Sequence, residues 1–257
     1  MGSPDAPPAL FTWFPDESGI VLTVDARRAE LAKNLASVQL QISEIARGAG
    51  RDPSQITLIG VTKNFPASDA AILVELGLRD LGENRAQEAG PKAEEVSRLI
   101  DGPVNWHFIG QLQRNKVRSV VAFADVIHSV DRLALVETLR TEIERSGRSP
   151  KVLIQINLDL DSAGRGGVDK DDLLPLAGAI VASGIELAGV MAVAPIDEEP
   201  ARAFSRLAEL HELLLREHPS ALWRSAGMSG DFQAAIEAGA THLRLGSSIL
   251  GSRHLLQ

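Results

Sequence analysis

The sequence contains no cysteine. Disulfides, thiolate metal sites and cysteine nucleophiles are thereby excluded, and the composition fits a reducing, cytoplasmic setting. Basic residues are outnumbered: 26 Lys and Arg against 34 Asp and Glu give a formal net charge of −8. A broad phosphate-neutralising surface for nucleic acid is therefore not expected, and an anionic small molecule would need its own local cradle. Long apolar runs are missing as well. None approaches the ~18 residues that would suggest a membrane span, and the opening "MGSPDAPPALFTWFPDESG" has neither the basic start nor the apolar stretch of a signal peptide. Residues 1–23 read as a flexible Pro-rich tail with no assigned function.

With 44% hydrophobic residues in a chain of 257, the protein has ample material for a core. No composition break divides it, so residues 24–257 are expected to form one domain. From Val24 to Gly50, Leu31, Leu35, Val38, Ile42 and Ile45 recur at intervals of three or four, the repeat of an amphipathic helix closed by glycine. Eight short apolar runs follow: "ITLIGV", "LRDLGEN", "VNWHFIG", "ADVIHSV", "KVLIQINL", "IELAGVMAV", "LWRSAGM" and "THLRLGS". Helical stretches fall between them at 67–76, 84–99, 113–123, 131–145, 169–183, 199–216 and 230–238, with a short turn after Ser247. Strands alternating with helices imply parallel pairing and right-handed crossovers. Eight of them predict a closed (β/α)8 TIM barrel, with the first long helix as an extra element. An open doubly wound sheet is the rival, but no Gly-x-Gly-x-x-Gly follows an early strand.

Active residues of such a barrel lie at the carboxyl ends of the strands. That position selects Lys63, Glu83, Asn84, Asn157, Met191, Ser225, Met228, Ser229, Arg244, Gly246, Ser247 and Ser248, with His107 inside strand three. Lys63 alternates with Val61, Ile59 and Thr57 and is expected to share their face. At a barrel mouth its ammonium would be partly desolvated, which lowers a lysine pKa and frees the amine to condense with a carbonyl; a solvated strand-end lysine is the plainer reading. In "THLRLGSSILGS", Gly246 permits close backbone approach and Ser247 opens a short helix whose N–H groups could bind an anion. The loop "GMSGDF" brings Ser229 to the same corner, although N-capping by Ser229 and Ser247 explains the serines equally well. Arg244 shares a face with His242 and Gly246, opposite Leu243 and Leu245, so it is expected to point into the barrel. There it needs an acceptor, either a carboxylate in a structural ion pair or a ligand atom. His211 and His218, seven apart on a helix, read as solvated. The stretch "SAGRGGVD" at 162–169 reads as a surface loop, and no metal site is expected.

Taken together, "VTKNFP", "LGENRAQE", "WHFIGQLQRNK", "IHSVD", "GMSGDF" and "AIEAGATHLRLGSSILG" resemble the YggS/PROSC family of pyridoxal 5′-phosphate homeostasis proteins. That family is related in fold to the amino-terminal domain of alanine racemase. The likeness spans about residues 25–253 in order and spacing. One departure is Ala226 in "SAGMS", where the family often has Ser-Met-Gly-Met-Ser.

The resemblance implies that pyridoxal 5′-phosphate is the cofactor and that Lys63 carries it as a Schiff base. It places Asn84 near the ring, Ser229, Gly246 and Ser247 around the phosphate, and Arg244 opposite the pyridine nitrogen. A cation there disfavours protonation of the ring and makes it a poorer electron sink. The implied function is vitamin B6 homeostasis without substantial turnover, hence no catalytic residue, with transient contact to pyridoxal-phosphate-dependent apo-enzymes. No nucleic-acid or membrane partner is implied, and a cytoplasmic monomer is expected. The alternative is a pyridoxal-phosphate-dependent amino-acid racemase of low activity. Alanine racemases use a tyrosine base and an added carboxy-terminal domain, whereas this sequence has no tyrosine and stops at Gln257. A sugar-phosphate aldolase acting through Lys63 is a third reading.

Overall fold

The computed structural model describes residues 24–159 and 166–251. The Pro-rich tail at 1–23 and the first half of the loop at 162–169 lie outside the described residues. Helix α1 (Val24–Gly48) comes first and stops two residues short of Gly50. The strands are β1 (Thr57–Val61), β2 (Asp80–Glu83), β3 (Asn105–Phe108), β4 (Val126–Val130), β5 (Lys151–Gln155), β6 (Leu187–Met191), β7 (Trp223–Ser225) and β8 (His242–Leu245). Between them run α2 (Ala67–Glu75), α3 (Ala86–Leu99), α4 (Val117–Val121), α5 (Leu133–Ser146), α6 (Lys170–Ala182), α7 (Pro200–Glu217) and α8 (Phe232–Glu237), and α9 (Ser247–Leu250) follows β8.

Each strand pairs in parallel with the next, and β8 returns to β1 to close the barrel. The fold is thus the expected single eight-stranded β/α barrel with an extra N-terminal helix. Side-chain alternation along the strands divides the interior in two. Outward-facing residues such as Leu81, Phe108, Ile127, Ile154 and Leu243 pack under the helices in one continuous apolar ring. Inward-facing Val126, Leu153, Ala188 and Met191 form a smaller cluster inside the barrel. The rest of the inner face is unusually polar: His107, His128, Ser225, His242 and Arg244 are all buried.

The period of α1 explains its place. Leu31, Leu35, Val38, Ile42 and Ala46 are buried, and the helix packs across α2, α8 and α9 at the seam where the barrel closes. Among the described residues, no helix is long and apolar enough to cross a membrane.

One glycine is demanded by strand packing rather than by a turn. At Gly189, φ is 156° and a Cβ would sit 1.8 Å from the Trp223 carbonyl oxygen, so β6 and β7 can approach only because no side chain intervenes. Gly189→Ala should lower the stability measured by urea denaturation by about 3 kcal/mol or more; a loss within experimental error would contradict this packing.

Candidate functional site

Parallel strands put all eight carboxyl ends on one rim. β1 is the reference point, because it pairs with β2 on one side (Val61 with Gly82) and with β8 on the other (Ile59 with Arg244). The regular strand ends at Val61, two residues before Lys63. Thr62 N–H extends the ladder by one bond to Gly82 O at 3.0 Å, and Phe65 N–H then closes a turn on Thr62 O at 3.0 Å. Asn64 takes the left-handed conformation with φ 64°. Lys63 lies inside this turn, half-buried, at the mouth.

A buried charge cluster lies beneath the turn. Glu83 ends β2 but points outward under α3, with 0% of its side chain exposed, and meets Lys92 Nζ at 2.6 Å. Thr62 donates from its hydroxyl to the same carboxylate oxygen at 2.7 Å. Lys92 Nζ also donates to Thr62 O at 2.8 Å. Both ends of Thr62, the residue before Lys63, are therefore held by one ion pair. Sequence reasoning placed Glu83 among mouth residues and overlooked Lys92, because a lysine on an exterior helix looks solvated.

Gly246 follows β8 next to the end of β1. A Cβ at this glycine would come within 3.2 Å of Val61 O, so its lack of a side chain permits a close backbone approach. Ser247 opens α9 directly after it. Ser229, from the loop after β7, reaches the same corner: its Oγ lies 3.0 Å from Ser248 Oγ and accepts from Ser248 N–H at 3.3 Å. The short α9 is held from behind by α1. Arg27 donates to Leu250 O at 3.1 Å, and Asn34 donates to Ile249 O at 3.1 Å.

Arg244 points into the barrel and is 4% exposed. Its partners are neutral: it donates to Ser225 Oγ at 2.7 Å and to Ala192 O at 2.8 Å. The structural ion pair considered from sequence is not what holds it. Burial pulls its pKa down to about 10, with Asp231 opposing the shift, so it stays charged at neutral pH. Asn84 lies after β2, and its Oδ1 is buried without a hydrogen-bond partner. Gly110 presses on this residue, since a Cβ there would fall 2.1 Å from Asn84 O.

Lys63, Asn84, Ser229, Arg244, Gly246 and Ser247 thus occupy one arc of the rim spanning β7, β8, β1 and β2. A cavity of about 380 Å³ opens on the other side of the mouth, lined by Gln155, Asn157, Val193, Ile196 and Met228 among others. Met228 is where it adjoins the arc. Met191, expected at the mouth, ends β6 and packs in the inner apolar cluster. His211 departs from the solvated reading: it is 2% exposed, on the same face of α7 as Leu207 and Leu214. Its Nε2 bonds Ala221 O at 2.7 Å and its Nδ1 accepts from Arg224 at 3.1 Å. Among the described residues, no group of three or more His, Asp or Glu side chains is arranged to hold a metal ion.

A family model described as the alanine racemase N-terminal domain matches residues 34–254. The pyridoxal phosphate homeostasis protein of Mycobacterium leprae is 39% identical over 249 residues, covering 89% of this chain and 95% of its own length. The chain belongs to the pyridoxal phosphate homeostasis protein family. Its Escherichia coli member is 37% identical over 228 residues, covering 87% of this chain and 97% of that one. PipY of Synechococcus elongatus, solved with PLP bound, superposes with a TM-score of 0.74 at 34% identity, covering 86% of this chain and 100% of PipY. Alanine racemase from Corynebacterium glutamicum, at 19% identity and a TM-score of 0.59 over 90% of this chain and 64% of its own, shares the fold.

Removing one member of a buried ion pair strands the other. Lys92→Met should cost about 3–5 kcal/mol in chemical denaturation, and the double variant Glu83→Gln/Lys92→Met should recover part of that loss. A single variant as stable as the wild type would show that the pair does not anchor Thr62.

Proposed function

We propose that this protein binds pyridoxal 5′-phosphate and serves its homeostasis, holding the cofactor without substantial turnover. The observation that carries the reading is a donor-only, charged Arg244 buried beside a lysine turn and a Gly/Ser corner, with no carboxylate among the described residues bonded to it. Such a guanidinium suits a ligand atom that accepts and stays unprotonated, as the ring nitrogen of pyridoxal phosphate can. When bound, the cofactor supplies an aldehyde able to condense with an amine.

The chain's own residues fit that group. Ser229, Gly246 and Ser247 would hold the phosphate, combining a hydroxyl, a bare backbone and the first turn of α9. The orphaned Asn84 Oδ1 offers an acceptor beside the ring. Lys63 would supply the amine from a turn fixed through Thr62. Family membership and the PLP-bound PipY support the assignment.

The racemase alternative needs an acid–base group on each face of a substrate. The sequence offers no tyrosine for that role. His107, which would have to stand in as the base, is 1% exposed and engaged inside the barrel. Arg244 further restrains carbanion chemistry by disfavouring a protonated ring. We take the protein to act in the cytoplasm as a monomer with transient contacts to recipient apo-enzymes, which size-exclusion chromatography and pull-down would examine.

Borohydride reduction of the protein with pyridoxal phosphate should attach the cofactor to Lys63. Peptide mapping that finds the label mainly on Lys116 or Lys151 would reject the site. Unphosphorylated pyridoxal should bind more weakly, since each charge-assisted contact to phosphate contributes about 1.5–3 kcal/mol before desolvation losses; equal affinities would remove the Ser229, Gly246 and Ser247 cradle.

Lys63→Ala should lose the visible absorption band of the bound cofactor yet keep a weaker, phosphate-dependent affinity for it. The wild type should show no substantial racemisation of alanine. Robust racemisation that disappears in Lys63→Ala would replace the carrier reading with an enzymatic one.

A further inference from the structure

Below Arg244, the inner face of the barrel carries a row of bonded polar side chains that the cofactor reading does not use. Ser225 Oγ lies 3.0 Å from His128 Nδ1. His128 Nε2 lies 2.9 Å from His107 Nδ1. His107 Nε2 lies 3.0 Å from Asp80 Oδ1. Ser225 and His128 are 0% exposed and His107 1%, so water does not complete these bonds. Asp80 sits at the opposite rim with its side chain 25% exposed, and Asn105 donates to the same carboxylate oxygen at 3.1 Å.

With both imidazoles neutral, the carboxylate at one end sets a direction for the protons of this row. A guanidinium can only donate, so Ser225 Oγ accepts from Arg244 and has its own hydrogen available for His128 Nδ1. His128 then carries its proton on Nε2 and donates to His107 Nδ1. His107 in turn carries its proton on Nε2 and donates to Asp80, which as a carboxylate can only accept. The carboxylate end sets this direction for two neutral imidazoles, and the guanidinium end is compatible with it. We propose that Asp80, His107, His128 and Ser225 form a one-way hydrogen-bonded relay that positions the Arg244 guanidinium at the barrel mouth and sets the field it presents to a ligand.

Reversal would be costly. A second proton on His107 would make His128 donate from Nδ1 to Ser225, leaving the buried serine hydrogen to find another acceptor. Burial above all, with positive charge on its neighbours adding to it, holds His128 well below its ordinary pKa, so a second proton on His128 itself is opposed. Burial first, with His107 and Arg244 adding to it, lowers His242 to about 3. The neighbouring His242 ring stacks 4.2 Å from Trp223 and bonds Thr241 Oγ1 at 2.8 Å, outside the relay.

The relay is testable without cofactor, whereas its effect on a ligand rests on the pyridoxal phosphate reading. Long-range ¹⁵N–¹H spectra of the cofactor-free protein at neutral pH should show His107 and His128 both neutral and protonated on Nε2. An Nδ1–H tautomer or an imidazolium at either ring would overturn the relay. In the loaded protein, Ser225→Ala should weaken pyridoxal phosphate binding about ten-fold or more, the equivalent of one charge-assisted hydrogen bond, and should shift the absorption maximum of the bound cofactor. Wild-type affinity and spectrum in this variant would refute the positioning role. If Ser225→Ala does not fold, Asp80→Asn carries the same test from the solvent-reaching end: a shifted cofactor spectrum supports the relay and an unchanged one refutes its influence on Arg244. Failure of the wild type to bind pyridoxal phosphate would sink the proposed function while the tautomer spectra still decide the relay.

Discussion

The double pairing of β1, to β2 on one side and β8 on the other, is the constraint on which the rest of the site depends. It turns a sheet with two open edges into a closed barrel, and so places residues from opposite ends of the chain on neighbouring strands. Val61, Gly82 and Gly246 come to one corner only because that seam closes. α1 lies over the outside of the seam, bonding the carbonyls of α9 through Arg27 and Asn34. The corner where a phosphate would sit is thus braced from the barrel side by Val61 and from outside by a helix.

Two kinds of buried polar group serve the mouth in different ways. Glu83 and Lys92 form a compact ion pair behind the strands whose mechanical effect is to pin Thr62. Their attraction must offset the desolvation of both ions, which is why bonds to Thr62 on both sides matter: they satisfy valences that would otherwise be lost. Glu83 Oε2 nevertheless stays without a partner. Among the described residues, Arg244 has no carboxylate at contact distance. It is held by a hydroxyl and a carbonyl, and its charge is carried at a lower pKa than an exposed arginine would have. One arrangement fixes backbone; the other keeps a cation available.

Much of the fold was legible because a half-buried strand and an amphipathic helix have different periods, and eight alternations leave little choice of topology. The outward placement of Leu243 and Leu245 likewise read correctly and made Arg244 an inner residue. What the pattern could not show was where a strand stops. Thr62 is buried with its hydroxyl on Glu83, and nothing in the local alternation of Ile59, Val61 and Lys63 signals that a distant carboxylate holds the chain there. Lys92 was invisible for a similar reason: its burial depends on Glu83 being present beneath α3. His211 could have been found, since it falls four residues after Leu207 and three before Leu214 on a strongly amphipathic helix. His128 left a fainter trace, as one of three histidines at inner positions of β3, β4 and β8.

The seam also bears on how the chain is made. β1 has two strand partners, and one of them, β8, is synthesised about 185 residues later. Until then β1 has an unpaired edge and the apolar face of α1 lacks α8 and α9 to cover it. A ribosome emitting this chain must therefore carry an exposed strand edge and an uncovered helix through most of synthesis. The last strand to emerge completes the sheet, supplies Arg244 and leads directly into Gly246, so closure of the fold and assembly of the mouth are a single late event.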